Sequence, residues 1–212
     1  MTTAGGAGSR PGGAERPATL AVIDMQRVFG DRDSPWFTPR FAEIVGPIQR
    51  LVGAYRPRVV FTRFVAPAVP TGAWRDYYEV WPFALQPPDA RIYELVDEFA
   101  GEPGPTLDAT TFGKAGDQLS AMVGGGRLVL AGVSTDCCVL STALAAADDG
   151  VGVQVVADAC AGISDESHAR TLDILRLYSP LVEVISLAEA IGQATHSGAA
   201  PSPPPGLVGP GS

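Results

Sequence analysis

The stretch that decides the fold is Leu128-Val-Leu-Ala-Gly-Val133 followed by Ser134-Thr-Asp-Cys-Cys138-Val-Leu-Ser-Thr-Ala-Leu-Ala-Ala-Ala147. Six consecutive apolar or small residues, with no alternation, describe a strand buried on both faces. Small and apolar residues then continue at helical spacing from about Cys138 to Ala147. The four residues between include Ser134, Thr135 and Asp136, side chains that cap helix N-termini. A buried strand running through a short turn into a helix is the repeating unit of a parallel α/β sheet.

The same pattern recurs outward from this stretch. Strands are expected at Leu20–Ile23, Val59–Phe64 and Thr106–Thr111 on the N-terminal side, and at Val153–Val156 and Val182–Ile185 on the C-terminal side. Helices are expected over Phe41–Ala54, Asp89–Phe99, Asp117–Met122, Glu166–Tyr178 and Leu187–Thr195. The fold class is therefore α/β: a single-domain, doubly wound, Rossmann-like parallel sheet of about six strands with helices on both faces. Residues 1–17 and 196–212 are rich in Gly, Ala, Pro and Ser and offer no apolar surface to offset the entropy of ordering, so they are expected to be disordered tails around a domain at 18–195.

Composition excludes several classes of function. A net charge of −8 over 212 residues is unfavourable for a nucleic-acid partner. No apolar run is long enough to span a bilayer, and the first residues lack the charged and apolar regions of a secretion signal. The three cysteines are odd in number, and two are adjacent, which is no disulfide framework. A cytoplasmic protein without membrane attachment is expected, one whose partner is a small molecule.

Lys114 is the only lysine in the chain, against fourteen arginines. Where a generic cation serves, this sequence uses Arg; a lone ammonium in Thr111-Phe-Gly-Lys114 marks a place where a compact charge is needed. In parallel sheets ligands bind beyond the carboxyl ends of the strands. Asp24 follows the first strand, Cys138 lies just past the fourth, and Lys114 sits in the loop after the third. A cysteine at a helix N-terminus beside a cation has a lowered pKa and attacks as thiolate. An aspartate can take the thiol proton and return it to a leaving group. Backbone amides at Ser134 and Cys138 can form an oxyanion hole. Against this reading stand a capping role for Asp24 at a helix or loop and a packing role for Cys137 and Cys138 as small buried residues. Cys160 reads as a packing residue, Asp158 as a loop anchor, His168 as a solvated helix residue and His196 as part of the tail.

Three segments resemble the isochorismatase-like cysteine hydrolases: Ala21-Val-Ile-Asp24-Met-Gln26-x-x-Phe29, Thr111-x-x-Lys114 and Gly132-Val-Ser-Thr-x-x-Cys138-Val-x-x-Thr142-Ala143. The resemblance implies Asp24 as acid/base, Lys114 as the stabilising cation and Cys138, not Cys137, as nucleophile. It implies a cis peptide at Val133–Ser134 that shapes the oxyanion hole, and a homodimer or larger homo-oligomer. It also implies cleavage of a C–N bond in a small amide, ureido or carbamoyl compound through an acyl-enzyme. The alternative within the family is vinyl-ether hydrolysis, which needs no thiol; a remote alternative is a redox sensor built on Cys137 and Cys138. Nicotinamidases, a branch of the same family, hold a metal with histidines from the loop after the second strand. That loop, Val65 to Pro88, has no histidine, so no metal and no cofactor are expected. It carries aromatic residues instead, among them Tyr78 and Trp81, which suit a substrate pocket and a dimer contact equally. Phe29, Trp36 and Arg63 complete the candidate substrate-binding set; Arg63 is expected to meet a substrate carboxylate, Asp76 or Glu79.

Overall fold

Along the central strand, Leu20 and Val22 belong to one apolar core, and Ala21 and Ile23 to the other. This alternation, with every residue of the strand buried, fixes a sheet covered on both sides. The computed structural model describes residues 17–197. In chain order the elements are β1 (Thr19–Ile23), α1 (Arg27–Gly30), α2 (Phe41–Tyr55), β2 (Val59–Phe64), α3 (Trp74–Val80), α4 (Asp97–Ala100), β3 (Thr106–Ala109), α5 (Asp117–Val123), β4 (Leu128–Val133), α6 (Leu140–Asp148), β5 (Val153–Ala161), α7 (Asp165–Arg176), β6 (Val182–Ile185) and α8 (Leu187–Ser197). Single turns of 3₁₀ helix lie at Pro82–Ala84 and Arg91–Tyr93, and a π-helical turn at Thr135–Val139.

The six strands are all parallel, in the order β3-β2-β1-β4-β5-β6. Ile44, Ile48 and Leu51 of α2, with Leu187 and Ala190 of α8, cover one face. Leu119 of α5, Ala143 and Ala147 of α6, and Leu172 and Leu175 of α7 cover the other. Strand order reverses between β1 and β4, so the crevice where a ligand fits opens beyond Ile23 and Val133. Gly132 lets the two strands close there. Its φ is +121°, and a Cβ on it would lie 2.1 Å from the Ile23 carbonyl oxygen.

Three elements differ from the sequence expectation. Residues 89–99 do not form one helix. Leu95 bridges antiparallel to Gln26, the Val96 amide donates to the Met25 carbonyl at 3.0 Å, and the Arg27 amide donates to the Glu94 carbonyl at 2.9 Å. Fully buried Tyr93 is held by its hydroxyl on the Ala84 carbonyl at 2.5 Å. Tertiary pairing with the chain leaving β1 outweighs a local helical preference worth only tenths of a kcal/mol per residue, on the order of 0.5. β5 continues five residues past Val156, with a register shift against β4 between Leu130 and Gly132. Here Asp158 accepts the Leu187 amide at 2.8 Å, anchoring the entry to α8. The aromatic run at 74–80 is helical, as α3. The expected tails, residues 1–17 and 196–212, fall almost wholly outside the described residues. No helix among the described residues is long and apolar enough to cross a membrane.

Candidate active site

Asp24 stands at the first residue past β1 with φ of 49°, a left-handed conformation that Asp tolerates better than most residues. Its carboxylate is fully buried. Oδ1 accepts the Thr62 hydroxyl at 2.7 Å, and the same hydroxyl oxygen accepts the Asp24 amide at 3.2 Å. The Lys114 ammonium lies 2.9 Å from Oδ2, with both side chains 0 % exposed. Each carboxylate oxygen thus has a partner, the Thr62 hydroxyl on Oδ1 and the Lys114 ammonium on Oδ2. Lys114 also donates to the Thr111 carbonyl at 3.0 Å and sits 5.3 Å from the centroid of the Phe64 ring. A buried charge pair of this kind is stable only if each member keeps the other compensated.

The chain leaving β4 passes through a cis peptide at Val133–Ser134 into the π-helical turn, where the Cys137 and Val139 amides both donate to the Ser134 carbonyl at 3.1 Å. The turn is fastened on two sides. On one, the Thr142 hydroxyl donates to the Cys138 carbonyl at 2.6 Å while accepting the Lys114 amide at 3.0 Å, which couples the lysine loop to the cysteine turn. On the other, Asp136 accepts the Ser134 hydroxyl and the Ile163 amide, and buried Thr135 pairs with His168 Nδ1 at 2.9 Å. His168 is thus half-buried and bonded rather than solvated. Burial and the neighbouring Arg40 lower its pKa.

Cys138 is buried, and its thiol differs from the sequence expectation of a lowered pKa. Contact with the Cys137 sulfur, burial and the Asp24 carboxylate raise it well above the usual thiol range, and Lys114 offsets this only in part. Cys137, half-exposed beside it, is lowered by the hydrogen bond from Cys138. The Cys138 thiol is thus held toward its protonated form, with the Asp24 carboxylate and the Lys114 ammonium both close enough to act on it.

Cys137 and Cys138 form part of the floor of a cavity of about 510 Å³. Phe29, Trp36 and Phe37 reach it from the segment between β1 and α2, Phe64 from the end of β2, Tyr77 and Trp81 from α3 and its exit, and Phe112 from the lysine loop. Ser134, Asp136 and Ser167 form its polar side. Trp36 is the hub of the aromatic wall, stacked on Phe29 at 6.0 Å and edge-on to Phe83 at 5.1 Å.

Of the sequence candidates, Phe29, Trp36 and Trp81 line this cavity; Arg63 and Tyr78 do not. Arg63 is turned to another cleft, where it makes a two-pronged bond to Asp108, its register partner on β3, at 2.8 and 2.6 Å. Tyr78 is buried behind the wall, its hydroxyl pKa pushed up to about 12 by burial, and Tyr77 takes the place expected for it. Sequence reasoning passed over Thr62, which orients Asp24, and gave no structural role to Gln26. The Gln26 amide donates to the Phe64 and Tyr93 carbonyls at 3.0 and 2.8 Å and accepts the Phe64 amide at 2.7 Å. A lone amide in an apolar stretch was the available signal for Gln26; Thr62 gave none, since Thr is common in strands. Cys160 is a buried packing residue, its thiol raised to about 12 chiefly by burial. Among the described residues no three His, Cys, Asp or Glu side chains gather where they could hold a metal ion.

The family model described as isochorismatase domain matches residues 18–189, and the chain belongs to the isochorismatase family. The fold is shared with a cysteine hydrolase from Pseudomonas syringae pv. phaseolicola 1448A, at a TM-score of 0.75 and 20% identity over 89% of this chain and 97% of that one. An isochorismatase family protein from Desulfovibrio vulgaris subsp. vulgaris str. Hildenborough aligns at a TM-score of 0.72 and 22% identity, over 82% and 96% of the two chains. N-carbamoylsarcosine amidase from Thermoplasma acidophilum aligns at 0.65 and 20% identity, over 81% and 96%. No curated protein sequence matches the chain.

Proposed function

We propose that this protein is a cysteine hydrolase that cleaves the C–N bond of a small amide through a covalent thioester, with Asp24, Lys114 and Cys138 as its triad. The observation that carries the reading is the convergence of the three at the β1/β4 crevice. Asp24 and Lys114 form a fully buried ion pair, and both charges bear on a thiol that lines a cavity.

Asp24 removes the Cys138 proton as sulfur attacks the carbonyl carbon. Lys114 offsets the negative charge that then spreads over the site, and amides of the Ser134–Cys138 turn receive the oxyanion. The C–N bond breaks as Asp24 returns the proton to nitrogen, and ammonia or an amine departs. Water, deprotonated by Asp24, attacks the thioester carbon, releasing the carboxylic acid and restoring the thiol. The chemistry needs a thiol, which vinyl-ether hydrolysis does not, and this favours the amide reading. Ammonia release from a panel of small amides and ureides tests it. Cys138→Ala is expected to abolish turnover, while Cys137→Ala keeps most of it; an active Cys138→Ala enzyme refutes the assignment.

A further inference from the structure

His168 is neither in the triad nor on the cavity wall, yet it bonds to the turn that carries Cys138. Thr135, the second residue past Val133, is fully buried just beyond the cis peptide. Among the described residues its hydroxyl has one partner, His168 Nδ1 at 2.9 Å. The imidazole comes from α7, whose first turn is capped by the Ser164 hydroxyl accepting the Ser167 amide at 3.1 Å. Gly162, just past β5, lets α7 approach this closely. A Cβ there would lie 3.2 Å from both the His168 amide nitrogen and its Cβ, and 3.3 Å from an Asp136 carboxylate oxygen. The contact therefore joins α7 to a turn that Thr142 fastens separately to the Lys114 amide.

A hydroxyl buried this completely needs an acceptor for its proton, and without one it carries the full desolvation penalty. The imidazole supplies that acceptor only while Nδ1 is bare, with the ring proton on Nε2. Resting on the hydrolase reading above, we propose that His168 is a positioning residue: its bare Nδ1 accepts the Thr135 hydroxyl and so holds the Ser134–Cys138 turn in place against Asp24 and Lys114. Protonating the ring turns Nδ1 into a donor and leaves the Thr135 hydroxyl without an acceptor. Charged groups meet the imidazole from each neighbouring element. Arg40, at the start of α2, opposes the cation, while Asp165 on α7, Asp136 in the turn and Asp158 on β5 favour it. Burial and Arg40 prevail, so the pKa lies below the ordinary imidazole value. The neutral, accepting ring is the form present near neutral pH. The anchor is lost as pH falls through that lowered value.

NMR of protein isotope-labelled at the histidine nitrogens reads the anchor without a substrate. The signals that vanish in His168→Asn belong to His168. They are expected to show a bare Nδ1 and a protonated Nε2, with a titration midpoint below the ordinary imidazole value. In Thr135→Val the midpoint is expected to rise, because the neutral ring loses the bond that favoured it. A proton on Nδ1 at neutral pH, or a midpoint that Thr135→Val leaves unchanged, overturns the proposal. Kinetics then test what the anchor does, by ammonia release from an amide that the wild type turns over. His168→Ala is expected to lower kcat by about 10²-fold with KM little changed, since a displaced turn misplaces the reacting groups. His168→Asn, whose side-chain oxygen accepts the same hydroxyl without titrating, is expected to restore most of kcat. It is also expected to keep that kcat at the acid pH where the wild type loses it, a readout that poor folding does not produce. Unchanged kcat in His168→Ala, no rescue by folded His168→Asn, or the same acid limb in wild type and His168→Asn overturns the proposal. The two readings fail separately. A bare, titrating Nδ1 in a protein that releases ammonia from no amide sinks the hydrolase reading and leaves the anchor. Ammonia release that His168→Ala leaves undiminished sinks the positioning role and leaves the hydrolase.

Discussion

Lys114 shows how far a single residue can be read from sequence. Its rarity marked it, and the structure places it fully buried against Asp24. What rarity does not reveal is how tightly it is enclosed, by the Thr111 carbonyl, the Phe64 ring and the Asp24 carboxylate. Lys114→Arg is therefore expected to act twice. A wider guanidinium displaces the charge from Oδ2 and lowers kcat/KM by about 10²–10³-fold. Overpacking also lowers stability by about 1–3 kcal/mol, read as a drop in Tm; an active variant with unchanged Tm contradicts the burial. The Cys138 proton was less legible. The sequence showed a helix start and a cation, both lowering, but the neighbouring sulfur, the burial and the facing carboxylate that raise the pKa are three-dimensional facts. Arg63 was misread for a related reason. Its partner, Asp108, lies 45 residues away and becomes a neighbour only when β2 and β3 pair.

At the scale of elements, the uninterrupted apolar strands were legible, because a strand buried on both faces has a composition that no surface element shares. The segment 89–99 was not, since its backbone bonds go to the chain beyond β1 and no local pattern encodes that destination. The close packing of β1 on β4 gives a direct test. Gly132→Ala puts a methyl 2.1 Å from the Ile23 carbonyl oxygen in a positive-φ position, and is expected to cost about 4 kcal/mol or more in denaturant unfolding. Gly53→Ala, in α2 with nothing within 4 Å of the new methyl, is expected to add about 0.5–1 kcal/mol. Similar effects from the two substitutions would contradict the described contact.

Over the whole molecule, stability and assembly follow from what is buried and what is not. The Cys160 thiol is raised to about 12 by burial, so the folded state holds its proton where the unfolded state releases it. That contribution is complete below the ordinary thiol range and is lost as pH rises from there through about 12. Cys160→Ala is expected to flatten this alkaline loss in denaturant titrations; an unchanged alkaline limb contradicts it. Ile174, Leu177, Tyr178 and Leu181 form an exposed apolar strip at the end of α7 and the turn after it. We propose that a second copy of the chain covers a surface of this kind. Light scattering is expected to give at least twice the chain mass at micromolar concentration, and a monomer refutes it.

The central claim is that the Cys138 sulfur carries the acyl group. The most direct measurement is intact-protein and peptide mass spectrometry of wild-type protein quenched in acid during turnover of a small amide. The account predicts one acyl adduct per chain, on Cys138, absent from Cys138→Ala and present in Cys137→Ala. An adduct on Cys137, or steady ammonia release with no adduct in any quench and full activity in Cys138→Ala, would contradict it.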